Sequence, residues 1–260
     1  MLNKEKFFKK LLKPIWRVWY WHISDKDKKG EVRFMNYGYD DGSELKLQSE
    51  DELERYPLQL YHYVASSIKL DGLDVLEVGC GRGGGASYIA RSLNPKFIKA
   101  VDISQKANNY CKKTYNSRNL EFFQGDAEKL PFEKENFDAV INVESSHCYP
   151  NISNFFDEVY RVLKPGGYFL YADFRNQKSI VTLRNELAKT KFVIIKQEDI
   201  TLQIVKALEK DSLRREDIIK REMPKFMWKA VGDFAGTTSS NTYRSFATGQ
   251  NIYFFYVLQK

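Results

Sequence analysis

Cysteine is scarce and scattered: Cys80, Cys111 and Cys148 are the only three among 260 residues. An odd number without paired spacing excludes a disulfide framework and a cysteine-based zinc site, and it suits a reducing compartment, so a cytoplasmic protein is expected. Histidine is as sparse. His22 and His62 sit in aromatic surroundings and read as structural, no Asp and His cluster has metal-ligand spacing, and no metal is expected. No uninterrupted apolar run is long enough to span a bilayer, and there is no internal repeat or low-complexity tract. The lysines at positions 4 and 6 open the chain as a secretory leader does, but Lys9, Lys10, Lys13 and Arg17 break the stretch that a leader keeps apolar. The segment is therefore expected to belong to the mature protein.

Acidic residues are short only at one end. Residues 1–30 hold nine Lys and Arg against three Asp and Glu, which is six of the seven surplus positive charges and leaves one for the other 230 residues. A nearly neutral body argues against a nucleic-acid cleft; an anionic partner would meet the N-terminal arm. Phe8, Leu11, Leu12, Ile15 and Trp19 recur there at helical spacing opposite the basic residues, with Pro14 inside. Such a helix serves as a lid packed on the domain or as a peripheral membrane contact.

What the chain does contain, 43% hydrophobic and 15% aromatic residues, is enough for a folded core. Short apolar runs followed by turn signals and helical stretches begin at Asp74, the pattern of repeated βα units on a parallel sheet. Strands are expected near 74–78, 98–102, 120–123, 137–143, 167–173, 192–199 and 251–258, with helices near 85–93, 105–117 and 153–163. The alternating run at the C-terminus implies an antiparallel closing hairpin. Helical content from 202, a Pro-Lys-Phe-Met-Trp cluster at 224–228 and polar residues at 236–241 mark an insertion. The expected organisation is an N-terminal arm and cap (1–70), a nucleotide-binding α/β core (71–201), an inserted substrate cap (202–250) and a last core strand (251–260).

The first strand runs into Glu77-Val78-Gly79-Cys80-Gly81-Arg82-Gly83-Gly84-Gly85, whose glycines let backbone approach a ligand at the strand's carboxyl end. The spacing is not that of a pyrophosphate fingerprint, which counts against a nicotinamide dehydrogenase. Asp102 ends the second strand, 19 residues past Gly83, where a carboxylate can take both ribose hydroxyls. Gln124-Gly125-Asp126-Ala127 follows the third. Each acid alone is equally a turn residue or cap; their order at successive strand ends is the signal.

This series resembles class I S-adenosylmethionine-dependent methyltransferases. The resemblance implies a Rossmann-like fold with a seven-stranded sheet of order 3-2-1-4-5-7-6 and an antiparallel last strand. It further implies S-adenosylmethionine as cofactor: Glu77, Gly79, Cys80 and Gly81 in the loop, Asp102 on the ribose, Asp126 on the adenine amino group with Ile103 and Ala127 flanking the ring, and Gly125, Asn142 and Tyr37 as further contacts. Glu158 to Gly167 looks like the same superfamily; there Gly166 and Gly167 are expected to end a helix that Pro165 stops.

The fourth strand ends in Asn142-Val143-Glu144-Ser145-Ser146-His147-Cys148-Tyr149-Pro150, and the fifth in Ala172-Asp173-Phe174. His147 can take a proton near neutral pH and Asp173 can orient it; the plainer alternative is a helix cap and a satisfied turn residue. Glu144 is the competing base or a cofactor contact. These residues are similar to those of sugar and polyketide O-methyltransferases, and Phe34-Met35-Asn36-Tyr37-Gly38-Tyr39 with Tyr171 to Arg175 looks like the phthiotriol and phenolphthiotriol dimycocerosates methyltransferases, which methylate a hydroxyl on a long lipid. Tyr37 and Tyr39 would then close over cofactor or acceptor, or simply form a core turn. Trp16, Trp19, Phe226 and Trp228 suit an apolar acceptor. The expected activity is O-methylation of a hydroxyl on a small, polyketide or lipid-like molecule. The alternatives are C- or N-methylation of a sterol-, quinone- or tocopherol-like molecule, an RNA methyltransferase, against which the missing Asn-Pro-Pro-Tyr counts, and a non-catalytic S-adenosylmethionine sensor.

Overall fold

Strands in this chain are runs of β-branched and aromatic residues whose alternate side chains turn to opposite faces, so both faces of the sheet must be covered. The computed structural model describes residues 31–260, and residues 33–260 form one unit. The basic helix expected between Phe8 and Trp19 lies outside the described residues, as do Trp16 and His22.

Strands β1 (Asp74–Val78), β2 (Phe97–Asp102), β3 (Leu120–Gln124), β4 (Phe137–Val143), β5 (Leu163–Asn176), β6 (Val193–Asp199) and β7 (Asn251–Gln259) form one sheet in the order β3-β2-β1-β4-β5-β7-β6. β7 runs antiparallel between β5 and β6. This is the expected order and sense. Alternation divides the core in two. Val75, Ile141, Leu170, Ala172, Phe255 and Val257 face one layer, packed by α1 (Arg55–Ala65), α2 (Gly84–Ser92) and α6 (Thr201–Glu222). Leu76, Val140, Phe169, Tyr171, Phe254 and Leu258 face the other, packed by α4 (Ile152–Val162) and α5 (Gln177–Ala188). Fully burying each large apolar side chain is worth about 1.5–3 kcal/mol.

Helix starts follow capping chemistry. Ser104 accepts the Ala107 amide at the start of α3 (Gln105–Thr114), and Asn151 accepts those of Ser153 and Asn154 at the start of α4. Helix α5 was not among the expected elements, although Ile180, Leu183 and Leu187 give it one buried face and Asn176 caps it. One expectation is corrected. Gly166 and Gly167 do not end α4, which stops at Val162; Leu163 is already extended and pairs with Phe137. The Pro165-Gly166-Gly167 segment lies inside β5, with Gly166 at φ 77°, where the register shifts before Ala139 pairs with Tyr168. It is a bulge, the use glycine has within a strand.

Between β6 and β7 the chain forms α6, a 3₁₀ turn at Lys225–Met227, α7 (Trp228–Ala235) and α8 (Asn241–Ala247). No helix among the described residues is long and apolar enough to cross a membrane. Phe226 is 86% exposed, so it lines no buried acceptor wall, while Trp228 is half-buried and donates to the Met223 carbonyl.

Candidate active site

The loop after β1 is shaped by close approach. Gly79 has φ 78°, and a Cβ there would fall 2.3 Å from Ser145 Oγ. Gly85, in the first turn of α2, faces the Tyr61 ring, 2.0 Å from where a Cβ would stand. Gly85→Ala should therefore destabilise the fold by about 1–3 kcal/mol; an unchanged midpoint in urea would mean that the ring moves aside freely. The loop is tied to β2 as well. Gly79 and Cys80 donate to the Val101 carbonyl, and Gly81 donates to Asp102 Oδ2 at 2.9 Å.

The polar groups converging here are mostly acceptors. Glu77 Oε1 accepts from Tyr61 Oη at 2.7 Å, whereas Glu77 Oε2 is buried without a partner. Burial raises its carboxyl to about 7, against the Tyr61 hydrogen bond and with help from Asp102. Asn142 Nδ2 donates to the Val78 carbonyl and to Ser145 Oγ, leaving its buried Oδ1 unpartnered. Asp102 accepts from Ser104 and Gly81 amides, and burial still raises its carboxyl from the ordinary value. Asp126 is exposed beside Gly125 and accepts the Glu128 amide. Ile103 stands 70% exposed after Asp102, and Ala127 is buried with Val78 and Val101. Unsatisfied buried acceptors call for donors. An ammonium group and ribose hydroxyls supply them and a phosphate does not, so the residues fit S-adenosylmethionine and not a pyrophosphate cofactor.

At the carboxyl ends of β4 and β5 a second group of side chains meets. Asp173 is fully buried. Its Oδ1 accepts from His147 Nδ1 and the Phe174 amide, both at 2.8 Å. Its Oδ2 accepts from Ser146 Oγ at 2.6 Å and the His147 amide at 2.9 Å, with Arg175 at 3.2 Å. Burial alone would raise this carboxyl, but His147 and Arg175 outweigh it and hold it well below the usual range. Burial would likewise lower the imidazole, and Asp173 reverses that, so His147 keeps its proton to higher pH than a free histidine. The His147 side chain remains 29% exposed, and its ring packs on Phe174 at 4.5 Å.

Glu144 follows β4 in the left-handed region, φ 46°, which costs a non-glycine residue about 1–3 kcal/mol and persists where its surroundings impose it. Its Oε1 accepts from the Tyr37 amide at 2.7 Å and Tyr253 Oη at 3.0 Å. Burial pushes it up to about 8, with the Tyr37 amide and His147 opposing. Tyr37 packs against Phe174 and Phe246, each at 5.4 Å. Tyr39, by contrast, stacks on Tyr63 in the core. His62 bonds Tyr88 Oη. Ser146 and Arg175 lie within the singled-out stretches but were given no role there; Phe246 and Tyr253 were not anticipated, and nothing in their own neighbourhoods distinguishes them from strand and helix residues. Among the described residues no three His, Cys, Asp or Glu side chains group as a metal site requires.

Sheet order, glycine loop and strand-end acids together define a class I methyltransferase. The methyltransferase domain family matches residues 76–171. The phthiotriol/phenolphthiotriol dimycocerosates methyltransferase of Mycobacterium tuberculosis is 38% identical over 250 residues, covering 95% of this chain and 93% of that one. The fatty-acid O-methyltransferase of Mycolicibacterium smegmatis is 44% identical over 199 residues, 76% and 73% of the two chains. The chain belongs to this family of S-adenosylmethionine-dependent methyltransferases. Its fold is shared with geranyl diphosphate C-methyltransferase from Streptomyces coelicolor, solved with S-adenosyl-L-homocysteine. That likeness has a TM-score of 0.64 at 16% identity and covers 88% of this chain and 92% of that one. The methyl donor is S-adenosylmethionine.

Proposed function

We propose that the enzyme methylates a hydroxyl on a lipid-like acceptor, with His147 as the base and Asp173 as the residue that orients it. The observation that carries this reading is the His147–Asp173 pair. A buried carboxylate saturated by donors has one function left toward its histidine, to fix the ring through Nδ1, and that leaves Nε2 for the acceptor proton. Glu77, Asp102, Asp126 and Asn142 would hold the donor; when bound, it supplies a methyl group on a sulfonium with a neutral leaving group. The enzyme's remaining task is alignment. His147 takes the hydroxyl proton at Nε2 as the acceptor oxygen gains the methyl group. Phe174, Phe246 and Tyr37 supply an apolar wall that excludes water. The lipid character of the acceptor is supported by the named substrates of the two mycobacterial relatives.

One observation favours a second reading. A histidine whose proton is held to high pH is a cation at neutrality, and a cation beside Arg175 suits a carboxylate acceptor, whose oxygen needs no base. The two readings differ in the sign of their pH dependence. A hydroxyl acceptor needs neutral His147, so kcat/KM should rise with pH, with a midpoint above the ordinary imidazole value of about 6.5. A carboxylate acceptor needs the charged ring, so kcat/KM should fall through the same midpoint. Initial rates with a long-chain alcohol and a long-chain fatty acid between pH 6 and 10 decide between them, and a flat profile with both would remove His147 from either role.

A further inference from the structure

The segment 33–40 runs past three parts of the site. Its first residue packs on the glycine loop, where a Cβ on Gly84 would fall 2.5 Å from the Arg33 carbonyl oxygen. That end is anchored by Glu54, which accepts from Arg33 Nε and from the Arg33 and Phe34 amides. Its middle donates the Tyr37 amide to Glu144. Its far end lies between α1 and α6, where Gly38 is too close to Tyr56 of α1 and Ala207 of α6 for any side chain and the Asp40 amide donates to the Gln203 carbonyl. One buried cation gathers this end. Arg215 of α6 donates Nη2 to the carbonyls of Asn36 (3.2 Å) and Tyr37 (3.1 Å), Nη1 to that of Ala235 (2.7 Å), and Nε to Asp211 (2.8 Å).

We propose that Arg215 is a positioning residue for methyl transfer, setting the Tyr37 strap, and through the Tyr37 amide the Glu144 carboxyl, from the inserted helices. Only a guanidinium can do this: its planar fork spans carbonyls of three residues on two segments while its remaining nitrogen holds a carboxylate, whereas a lysine ammonium is a single point. The burial is informative. A cation 9% exposed is costly unless every donor is used, and a fold that needed only to join α6 to the strap could have done so with apolar side chains. The fork is spent on the peptide carbonyls on both sides of the Tyr37 nitrogen, and that nitrogen serves Glu144, a residue held in a strained backbone conformation. Loss of the fork would let the strap drift, leaving Glu144 Oε1 with Tyr253 Oη as its remaining donor and opening the aromatic wall at Tyr37. The inserted helices would thereby control how well the acceptor is aligned without touching the donor.

The inference rests on the reading that Glu144 and Tyr37 border the acceptor. It is tested on the full chain by comparing Arg215→Ala and Arg215→Lys with the parent in kcat, acceptor KM, affinity for S-adenosylhomocysteine and melting temperature. Arg215→Lys should lower kcat about tenfold with cofactor affinity nearly unchanged, and Arg215→Ala should lower it further. The surface variant Lys220→Ala should match the parent. Should Arg215→Ala fail to fold, Arg215→Lys decides alone. A purely structural role would lower the melting temperature and leave kcat per folded molecule intact; that outcome, or a joint loss of cofactor affinity, overturns the proposal. Parallel assays of His147→Ala keep the two readings apart: full activity there with a slow Arg215→Lys removes the proposed base and leaves the clamp standing.

Discussion

His147→Ala is expected to lower kcat by about a thousandfold while the affinity for S-adenosylhomocysteine stays nearly unchanged. The imidazole is the only side chain of the site whose free ring nitrogen is aligned by a buried anion, and its hydrogen bonds go to Asp173, not to the glycine loop. Single-turnover rates with radiolabelled methyl donor measure the first quantity and isothermal titration the second. Undiminished turnover would show that position alone drives the reaction or that Glu144 is the base. His147 is a cleaner probe than Asp173. Removing the buried carboxylate leaves Arg175, Ser146 and two amides without their acceptor, and breaking a buried pair in this way costs about 3–5 kcal/mol, enough to confuse catalysis with unfolding.

Asp102→Ala should weaken cofactor binding by about a hundredfold or more, since each hydrogen bond between a ribose hydroxyl and a charged acceptor is worth about 1.5–3 kcal/mol. The loss has a second origin. Asp102 accepts the Gly81 amide, so the substitution also releases the glycine loop at the point where it approaches the ligand. Asp102→Asn keeps an oxygen for one donor and should fall between the parent and the alanine variant. Titration with S-adenosylhomocysteine measures both; tight binding retained in Asp102→Ala would mean that the ribose is held elsewhere.

Much of this architecture was legible in the linear chain because the relevant signals are local. Short apolar runs followed by turn signals located the strands, glycine spacing after β1 marked the turn, and acids at the ends of β1, β2 and β3 carried the family resemblance that implies the cofactor. Even the antiparallel closing strand could be read from the alternating run ending the chain. The exception among local signals was Pro165-Gly166-Gly167, which has the chemistry of a helix stop and serves as a bulge, because pairing of Leu163 with Phe137 had already ended the helix.

The acceptor side of the site was less legible, for a physical reason. His147 and Asp173 could be named from their strand ends, but their hydrogen bond joins residues 26 apart, and the Tyr37–Glu144 and Arg215–Asn36 bonds join residues 107 and 179 apart. No spacing rule reaches that far. Tyr253 meets Glu144 because β7 returns between β5 and β6, and Phe246 reaches Tyr37 from the inserted helices. The sequence by itself determined the strands, since these follow from patterns within a few residues; the order of the sheet came from the family resemblance that those patterns carry. Only the tertiary structure decided which carboxylate became a saturated anion, which was held in a strained backbone with its carboxyl raised by burial, and which arginine held the strap, since burial and partners, not residue type, set those properties.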